Sequence, residues 1–261
     1  MKKVTLFFTF AIAILLSPLA TAQTELRILD DMGTRFSDVN DSGIGVLTNG
    51  YYNFITGELS ELEPEATGTV AINNDGNIAG YMYYDEPNFI QQAAYRIDDI
   101  WKGIGFLPEQ DPETDTYTTY AISQNSKYIT GQTHIGLNYG GFLYDTDTET
   151  LTGIFDPEGE AAALYTVNSE GIAGGWVDRP DGGGTLRVPA YRTTDGEIHL
   201  IPEQLPEESG VNAISYITDN NIMVGDYEFA PFIYDLNEDT FTSFEVPGDA
   251  LSAAFTQISD N

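Results

Sequence analysis

Apolar and polar positions along the chain repeat one short figure. An aliphatic residue closes an alternating run, a few polar residues follow, and a second aliphatic run returns. The figure reads VNDSGIGVL at 39–47, INNDGNIAGY at 72–81, ISQNSKYITGQ at 122–132, VNSEGIAGGW at 167–176 and ITDNNIMVGDY at 217–227. Its opening residues, Val39, Ile72, Ile122, Val167, Ile217 and a last one, Ile258, lie 33, 50, 45, 50 and 41 residues apart. A small polar residue always comes next: Asn40, Asn73, Ser123, Asn168, Thr218 and Ser259. Such a side chain can accept a hydrogen bond from the backbone amide two residues on and so start a turn. Three positions further stand Gly43, Gly76, Ser126, Gly171 and Asn221, and Gly or Asn there tolerates the positive φ of a tight hairpin. Each figure therefore predicts a β-hairpin.

A second figure follows each first one, at 49–62, 93–107, 140–155, 189–201 and 230–244. A small residue or Pro leads into an aromatic (Tyr52, Tyr95, Phe142, Tyr191, Phe232), then a polar turn and an alternating strand. Two hairpins per unit make four strands in about 44 residues, the period of a β-propeller blade. The expected fold is thus all-β: a propeller of four-stranded antiparallel blades, five recognisable repeats plus a partial sixth. An open β-solenoid or an irregular sandwich is the competing architecture, whereas no sustained 3.6-residue period supports helices. TELRILDD at 24–31 reads as a fourth strand without its first three, and FTQISDN at 255–261 as a first strand stopping inside its own turn. A sixth blade shared between the two ends is the expectation, with a domain spanning 23–261 that continues past residue 261.

Residues 1–22 add a compartment. Lys2 and Lys3 precede the apolar run LFFTFAIAILL, which ends in Ala20-Thr21-Ala22. That pattern predicts a secretory signal peptide cleaved before Gln23, since the run is about half the ~20 apolar residues that span a bilayer. No later segment is apolar enough to span, so membrane insertion is not expected and the mature chain is read as extracellular, surface-bound or periplasmic. It has no cysteine, which removes disulfides, thiolate chemistry and cysteine metal sites. Without Lys2 and Lys3, 8 basic residues face 41 acidic ones, a formal net charge of −33. A surface of that sign repels phosphate backbones and excludes nucleic acid as a partner.

The paired figures resemble those of HAF-repeat extracellular proteins, secreted bacterial repeat proteins in which I-N-x-x-G-x-I-x-G precedes a His-Ala-Phe step. INNDGNIAG at 72–80 and ITDNNIMVG at 217–225 carry the resemblance best, and it spans about residues 36–261. PAYR at 189–192 and APFIY at 230–234 keep the small-aromatic step without the His, and Leu47 stands where Gly80 and Gly225 stand. The resemblance implies a secreted, propeller-like repeat protein and brings no catalytic residues.

Candidate chemistry is sparse. Nucleophilic catalysis needs a base beside the nucleophile, and only His134 and His199 are available, with no G-x-S-x-G elbow. His199 alternates with apolar neighbours and reads as a solvent-facing strand residue. Two isolated histidines without Cys make a poor zinc site. DTDTET at 145–150 and DLNEDT at 235–240 offer alternating oxygens that could take Ca²⁺, but positions six and twelve hold Thr150 and Asp156, or Thr240 and Val246, instead of Gly and Glu. They read as polar turns, and no cofactor or metal ligand is expected. PDGGGT at 180–185 lacks the following Lys and helix of a phosphate loop.

Function is expected on the connections that vary. In a four-stranded up-and-down blade the first and third connections share one end, while the second connection and the link to the next blade share the other. The latter set is irregular: 85–92, 108–118, 133–139, 177–188 and 202–210. Variable loops on a rigid scaffold are where binding sites develop. The ligand-binding candidates are Tyr84, Phe89, Glu109, Asp111, His134, Tyr139, Asp178, Arg179, Glu203 and Glu207, suited to a protein or glycan partner. The expected role is a secreted, non-enzymatic binding or scaffolding module. The alternative is a propeller-type glycosidase or lyase using loop carboxylates.

Overall fold

The structure is a computed structural model, and it describes residues 36–85, 90–136, 138–155, 161–181, 184–201, 212–246 and 253–258. Residues 1–22, read above as a signal peptide, the 24–31 segment, Phe89, Glu203, Glu207 and the final 259–261 lie outside the described residues, as does the side chain of Tyr84.

Each predicted pair of hairpins forms one four-stranded antiparallel sheet in chain order. The first sheet runs β1 (Phe36–Val39), β2 (Ile44–Leu47), β3 (Gly50–Asn53) and β4 (Glu58–Glu61). The second is β5 (Ala66–Ile72), β6 (Ile78–Asp85), β7 (Ile90–Ile97) and β8 (Ile100–Gly103). The third holds β9 (Tyr117–Ile122), β10 (Tyr128–Ile135), β11 (Asn138–Asp145) and β12 (Thr150–Ile154). Strands β13 (Ala162–Val167), β14 (Ala173–Asp181), β15 (Gly184–Arg192) and β16 (Ile198–Leu200) make the fourth. The fifth comprises β17 (Ala213–Ile217), β18 (Ile222–Tyr227), β19 (Ala230–Asp235) and β20 (Thr240–Ser243). The first strands β1, β5, β9, β13 and β17 neighbour one another in that order, and all five line one central cavity. That arrangement is propeller-like.

The core lies between sheets, not within one. Tyr95 of the second sheet packs with Ile129, Phe142 and Tyr144 of the third, and Tyr191 of the fourth with Met223, Phe232 and Tyr234 of the fifth. Phe142 and Phe232 are fully buried, consistent with large aromatics supplying most of the apolar area of a thin sheet-on-sheet contact. The five aromatics of the second figure do not share a register, however. Phe142 pairs with Gly131 and Phe232 with Gly225, Tyr95 with Ala79 and Tyr191 with Gly174, and Tyr52 with Gly45. A one-residue offset moves a side chain to the other face of a strand. Tyr95 and Tyr191 therefore face the following sheet, and Phe142 and Phe232 the preceding one.

The hairpin turns of the first figure have the expected backbone. Gly43, Gly76, Ser126, Gly171 and Asn221 all take positive φ, between 63° and 89°. The polar side chain before them reaches further than two residues. Asn40, Asn73 and Thr218 accept from the amide four residues on, at 2.9, 2.9 and 3.0 Å. Ser123 reaches five, to Tyr128 N at 2.9 Å, because that turn is one residue longer. Asn168 holds both the Glu170 and Ile172 amides. The longer reach clamps the two strands together instead of only opening the turn.

Four of the five units carry a glycine in the second strand that a Cβ would disrupt. At Gly80, Gly131, Gly175 and Gly225 the added atom would stand 1.9–2.2 Å from the carbonyl oxygen of Gly68, Thr118, Ala163 or Ala213. Each of those carbonyls belongs to a first strand with a one-residue bulge beside it. Leu47 takes this place in the first sheet, opposite Phe36, where no described residue supplies the facing carbonyl.

Candidate functional site

The bulges build the centre of the molecule. All five first strands skip a residue in pairing two positions before the opening aliphatic (β5 skips a second, Thr67): Ser37, Val70, Tyr120, Tyr165 and Ser215. A bulge re-aims side chains that regular alternation would send elsewhere, and these five residues, with Thr256, line the central cavity. Its volume is about 720 Å³, within the size range of small-molecule sites. Tyr120 and Tyr165 meet edge to face with centroids 4.8 Å apart. Burial, with Tyr165 and Tyr81 nearby, pushes the Tyr120 hydroxyl up to about 12, so it stays a neutral donor.

At the turn end the cavity is rimmed by Asp41, Asn74, Gln124 and Asp219, each two residues past its opening aliphatic. Asp38 lies deeper; its Oδ2 accepts the Ile72 amide at 3.0 Å, and burial pushes its carboxyl up despite that bond. No Lys, Arg or His is among the lining residues described.

A girdle of hydrogen bonds joins the turns around this rim. Asn40 Nδ2 donates to Asn73 O at 3.0 Å. Asn73 Nδ2 donates onward to Ser123 O at 3.0 Å and Ser126 Oγ at 2.6 Å. Asn125 Nδ2 reaches Ser169 O at 2.8 Å, and Asn168 Nδ2 reaches Asn221 Oδ1 at 2.7 Å. A shallower set runs beside it: Asn74 Nδ2 to Asp41 Oδ2 at 2.8 Å, Asn74 N to Gln124 Oε1 at 2.9 Å, and Ser169 N to Asp219 Oδ1 at 2.7 Å. Each of the four contacts between successive sheets is thereby tied through the repeated figure.

The loop end is organised by local pairs. Asp111 and Glu109 are exposed on the link between the second and third sheets. Asp115, in the same link, accepts the Asp111 amide at 2.9 Å and the Gly136 amide at 3.1 Å, and the first of these bonds leads in holding its carboxyl below the usual range. His134 stands against it, with Nδ1 3.5 Å from Asp115 Oδ1 and Nε2 2.9 Å from Thr116 Oγ1. Tyr139, half exposed, packs its ring 5.3 Å from the imidazole. Hydroxyl, imidazole and carboxylate follow one another in the order of a nucleophilic relay, but His134 Nδ1 makes no hydrogen bond to Asp115, and the Gly136 amide is spent on Asp115. Of the sequence candidates, Asp111, His134 and Tyr139 come together here.

Asp178 and Arg179 sit on the long β14–β15 hairpin. Asp178 Oδ1 accepts Arg187 Nε at 3.3 Å, and the Arg187 guanidinium lies 3.5 Å over the Trp176 ring. Trp176 is 5% exposed and its Nε1 has no hydrogen-bond partner. Burial lowers the Arg179 guanidinium from its ordinary value.

Of the sequence candidates whose side chains are described, Glu109, Asp111, His134, Tyr139, Asp178 and Arg179, none lines the central cavity. Tyr120, Tyr165 and Asp38 were legible only as strand residues; the signal was their place, one or two positions before each opening aliphatic, where the column holds Tyr, Ser, Val and Asp instead of one repeated type. His199 stacks on Tyr191 at 4.9 Å and 16°. In the turns proposed for Ca²⁺, Asp145 Oδ1 and Asp235 Oδ1 each accept two backbone amides. Among the described residues no three acidic or His side chains converge as a metal site, and no helix is long and apolar enough to cross a membrane.

No family model matches the chain, and no curated protein matches it. Among solved structures it is similar to TolB from Acinetobacter baumannii, with 12% identity, 78% of this chain and 52% of that chain covered, and a TM-score of 0.48. A chain of the nidogen/laminin complex gives 8% identity, coverages of 80% and 79%, and 0.44. The Dos1 propeller gives 10%, 78% and 56%, and 0.42. The chain spans about half the length of the TolB chain.

Proposed function

We propose that the chain is an exported β-propeller of the HAF-repeat type, acting as a non-enzymatic binding module that takes a protein or glycan partner on its irregular loop end. The observation that carries this reading is the meeting of aromatic and charged side chains on that end, the exposed Tyr139 with His134 and the half-buried Arg187 with Asp178 over the buried Trp176. Aromatic and Arg anchors backed by rigid strands are the residues that dominate recognition energetics. The sixth blade belongs to this proposal: residues 256–258 reach the cavity alongside the five first strands, and Phe255 packs on Phe244 of the fifth unit at 5.4 Å.

The test is a screen of the purified mature protein against immobilised glycans and extracellular proteins. Binding that falls at least tenfold in both Arg187→Ala and Tyr139→Ala supports the reading. Turnover of any glycan that disappears when Asp111 or Asp178 becomes Asn overturns it in favour of a carbohydrate-active enzyme. Recovery of the protein with an intact residue 1–22 segment in the cytoplasm would remove the exported part of the claim.

A further inference from the structure

The link between the second and third sheets, residues 104–116, is held by two networks. The inner one is neutral and buried. The Leu107 amide donates to Gln110 Oε1 at 2.8 Å and to Tyr117 OH at 3.0 Å. Gln110 Nε2 donates to Thr133 Oγ1 at 2.6 Å and to His134 O at 3.1 Å. The outer network is ionisable: Asp115 takes the Asp111 and Gly136 amides on its two oxygens, and His134 stands beside it.

The imidazole is satisfied on one side only. Nε2 has the Thr116 hydroxyl at 2.9 Å, a group that can donate or accept. Nδ1 is shielded from solvent and has no hydrogen-bond partner, although Asp115 Oδ1 is 3.5 Å away. A neutral imidazole carries one N–H, so a proton on Nε2 leaves the Nδ1 lone pair facing a carboxylate. An imidazolium donates from both nitrogens, and a charge-assisted bond to a carboxylate closes to about 2.7–2.9 Å. The pair then needs to approach by about 0.7 Å, 3.5 Å less about 2.8 Å.

The surrounding groups leave Asp115 as the acceptor. On the link, Asp111 Oδ1 accepts the Glu113 amide, and Glu109 and Glu113 are exposed. From β9, Tyr117 remains a neutral phenol, its hydroxyl pushed up to about 12 chiefly by burial. From β11, Tyr139 offers only its ring. Among the described residues no Lys or Arg pairs with Asp115 or His134. The Asp111 amide, first among its bonds, keeps Asp115 ionised well into acid.

We propose that His134 and Asp115 form a pH-sensitive latch, in which proton uptake at Nδ1 makes that nitrogen a donor to Asp115 and fastens the 104–116 link to the β10–β11 hairpin. Histidine changes charge between about pH 5 and 8, so the latch closes toward the acid side and opens toward the alkaline side. The link carries Glu109 and Asp111, and Tyr139 rests on the imidazole. Acid therefore stiffens this part of the loop end, whether or not a partner binds there. The other histidine, His199, provides the control: it is partly exposed, 3.8 Å from the exposed Glu197, and stacked on Tyr191.

Hydrogen exchange of the purified mature protein at amide resolution, corrected for intrinsic rates and compared toward the two ends of that pH range, tests it. The Asp111 and Gly136 amides, which donate to Asp115, are expected to be at least threefold better protected at the lower pH. His134→Gln, whose amide can keep the Thr116 contact, is expected to abolish the difference, and Asp115→Asn to abolish it too. His199→Gln is expected to leave it unchanged, and the thermal transition of each variant checks that it is folded. Equal protection at both pH values, or a difference that persists in His134→Gln, overturns the latch. A difference that vanishes in His199→Gln assigns the response to the other histidine and overturns it as well. So does an equal gain at the Asn77 and Ile172 amides of the turn end, which would mean a change in global stability.

Discussion

The two ends of the sheets are built from the same strands and organised by opposite rules. At the turn end, buried Asn40, Asn73, Ser123, Asn168 and Thr218 recur once per sheet, and the bonds they and their neighbours make pass from one sheet to the next. At the loop end the described bonds stay mostly within a hairpin or its adjoining link, as in Asp111–Asp115–His134 and Asp178–Arg187, and Gln132 Nε2 to Ala162 O, at 3.5 Å, crosses from the third sheet to the fourth. A position that every unit must fill alike serves the contact between units; a position free to differ does not. The repeated figure is therefore the joint of the molecule. Its residues are conserved in type along the chain because a buried amide with one unpaired group costs about 1–3 kcal/mol.

The sharpest break of this contrast is at the glycine that closes the figure. In Gly225→Ala the new Cβ would sit 1.9 Å from the Ala213 carbonyl, which backbone, not a flexible side chain, must yield. The bulge that aims Ser215 into the cavity would be forced open. A loss of about 3 kcal/mol or more is expected, in the range of severe overpacking, read as a lowered midpoint in denaturant unfolding. A loss below about 1 kcal/mol would show that the bulges are soft and that the close approach of the strands is not structural.

Next in size is Asn73→Ala. The side chain is fully buried, accepts the Asn77 amide and donates to Ser123 O and Ser126 Oγ of the next sheet. Removing it leaves buried partners in two sheets, so a loss of about 2–3 kcal/mol is expected. If the girdle acts between sheets, a double-mutant cycle of Asn73→Ala with Ser126→Ala will show coupling of about 1 kcal/mol. Additivity within error would instead confine Asn73 to its own turn.

How far the sequence reaches follows the same division. The hairpins, their positive-φ residues and the count of four strands per unit were legible in residue types alone, since Gly, Asn and aliphatic alternation report local backbone. What Asn73 does for its neighbour was not, because its partners lie 50 and 53 residues away. The bulges were hidden for another reason: Val70, Tyr120 and Ser215 share no chemistry, only a place in a pairing register that a linear pattern does not record. The candidates on the loop end were legible as irregular segments, but which of them meet depended on Asp115, an unremarked residue between two link positions.

Between the two ends, on the outer flank, Glu63 offers a smaller test with a sign. It accepts from Tyr51 OH at 2.6 Å and Trp101 Nε1 at 3.0 Å and pairs with Arg96 at 2.9 Å. Burial pulls its carboxyl up, but those bonds outweigh it and leave the group below its ordinary value of 4.5. A depressed folded value stabilises above the unfolded one and is lost as pH falls through the folded one. Glu63→Gln is therefore expected to cost about 1 kcal/mol at pH 7, with the gap from wild type narrowing below pH 4.5. A gap that widens in acid would reverse the assignment.

The smallest effect is expected where the loop end is most exposed. Tyr139 is 49% exposed, its neighbours Asn138 and Gly136 are exposed too, and its one described side-chain contact is the ring of His134. Replacing it by Ala removes little buried area, and exposed positions away from caps and cores change stability by about 0.5 kcal/mol or less. His134 keeps Thr116 and Asp115 without it, so the link between the second and third sheets should hold its shape. The comparison that matters is with Asn73→Ala in the same unfolding experiment. If Tyr139→Ala proves as costly as the girdle variant, the loop end is a second structural joint and not a surface free for binding. If it is neutral in stability yet lowers binding to a captured partner, the two ends divide their labour as their hydrogen bonds do.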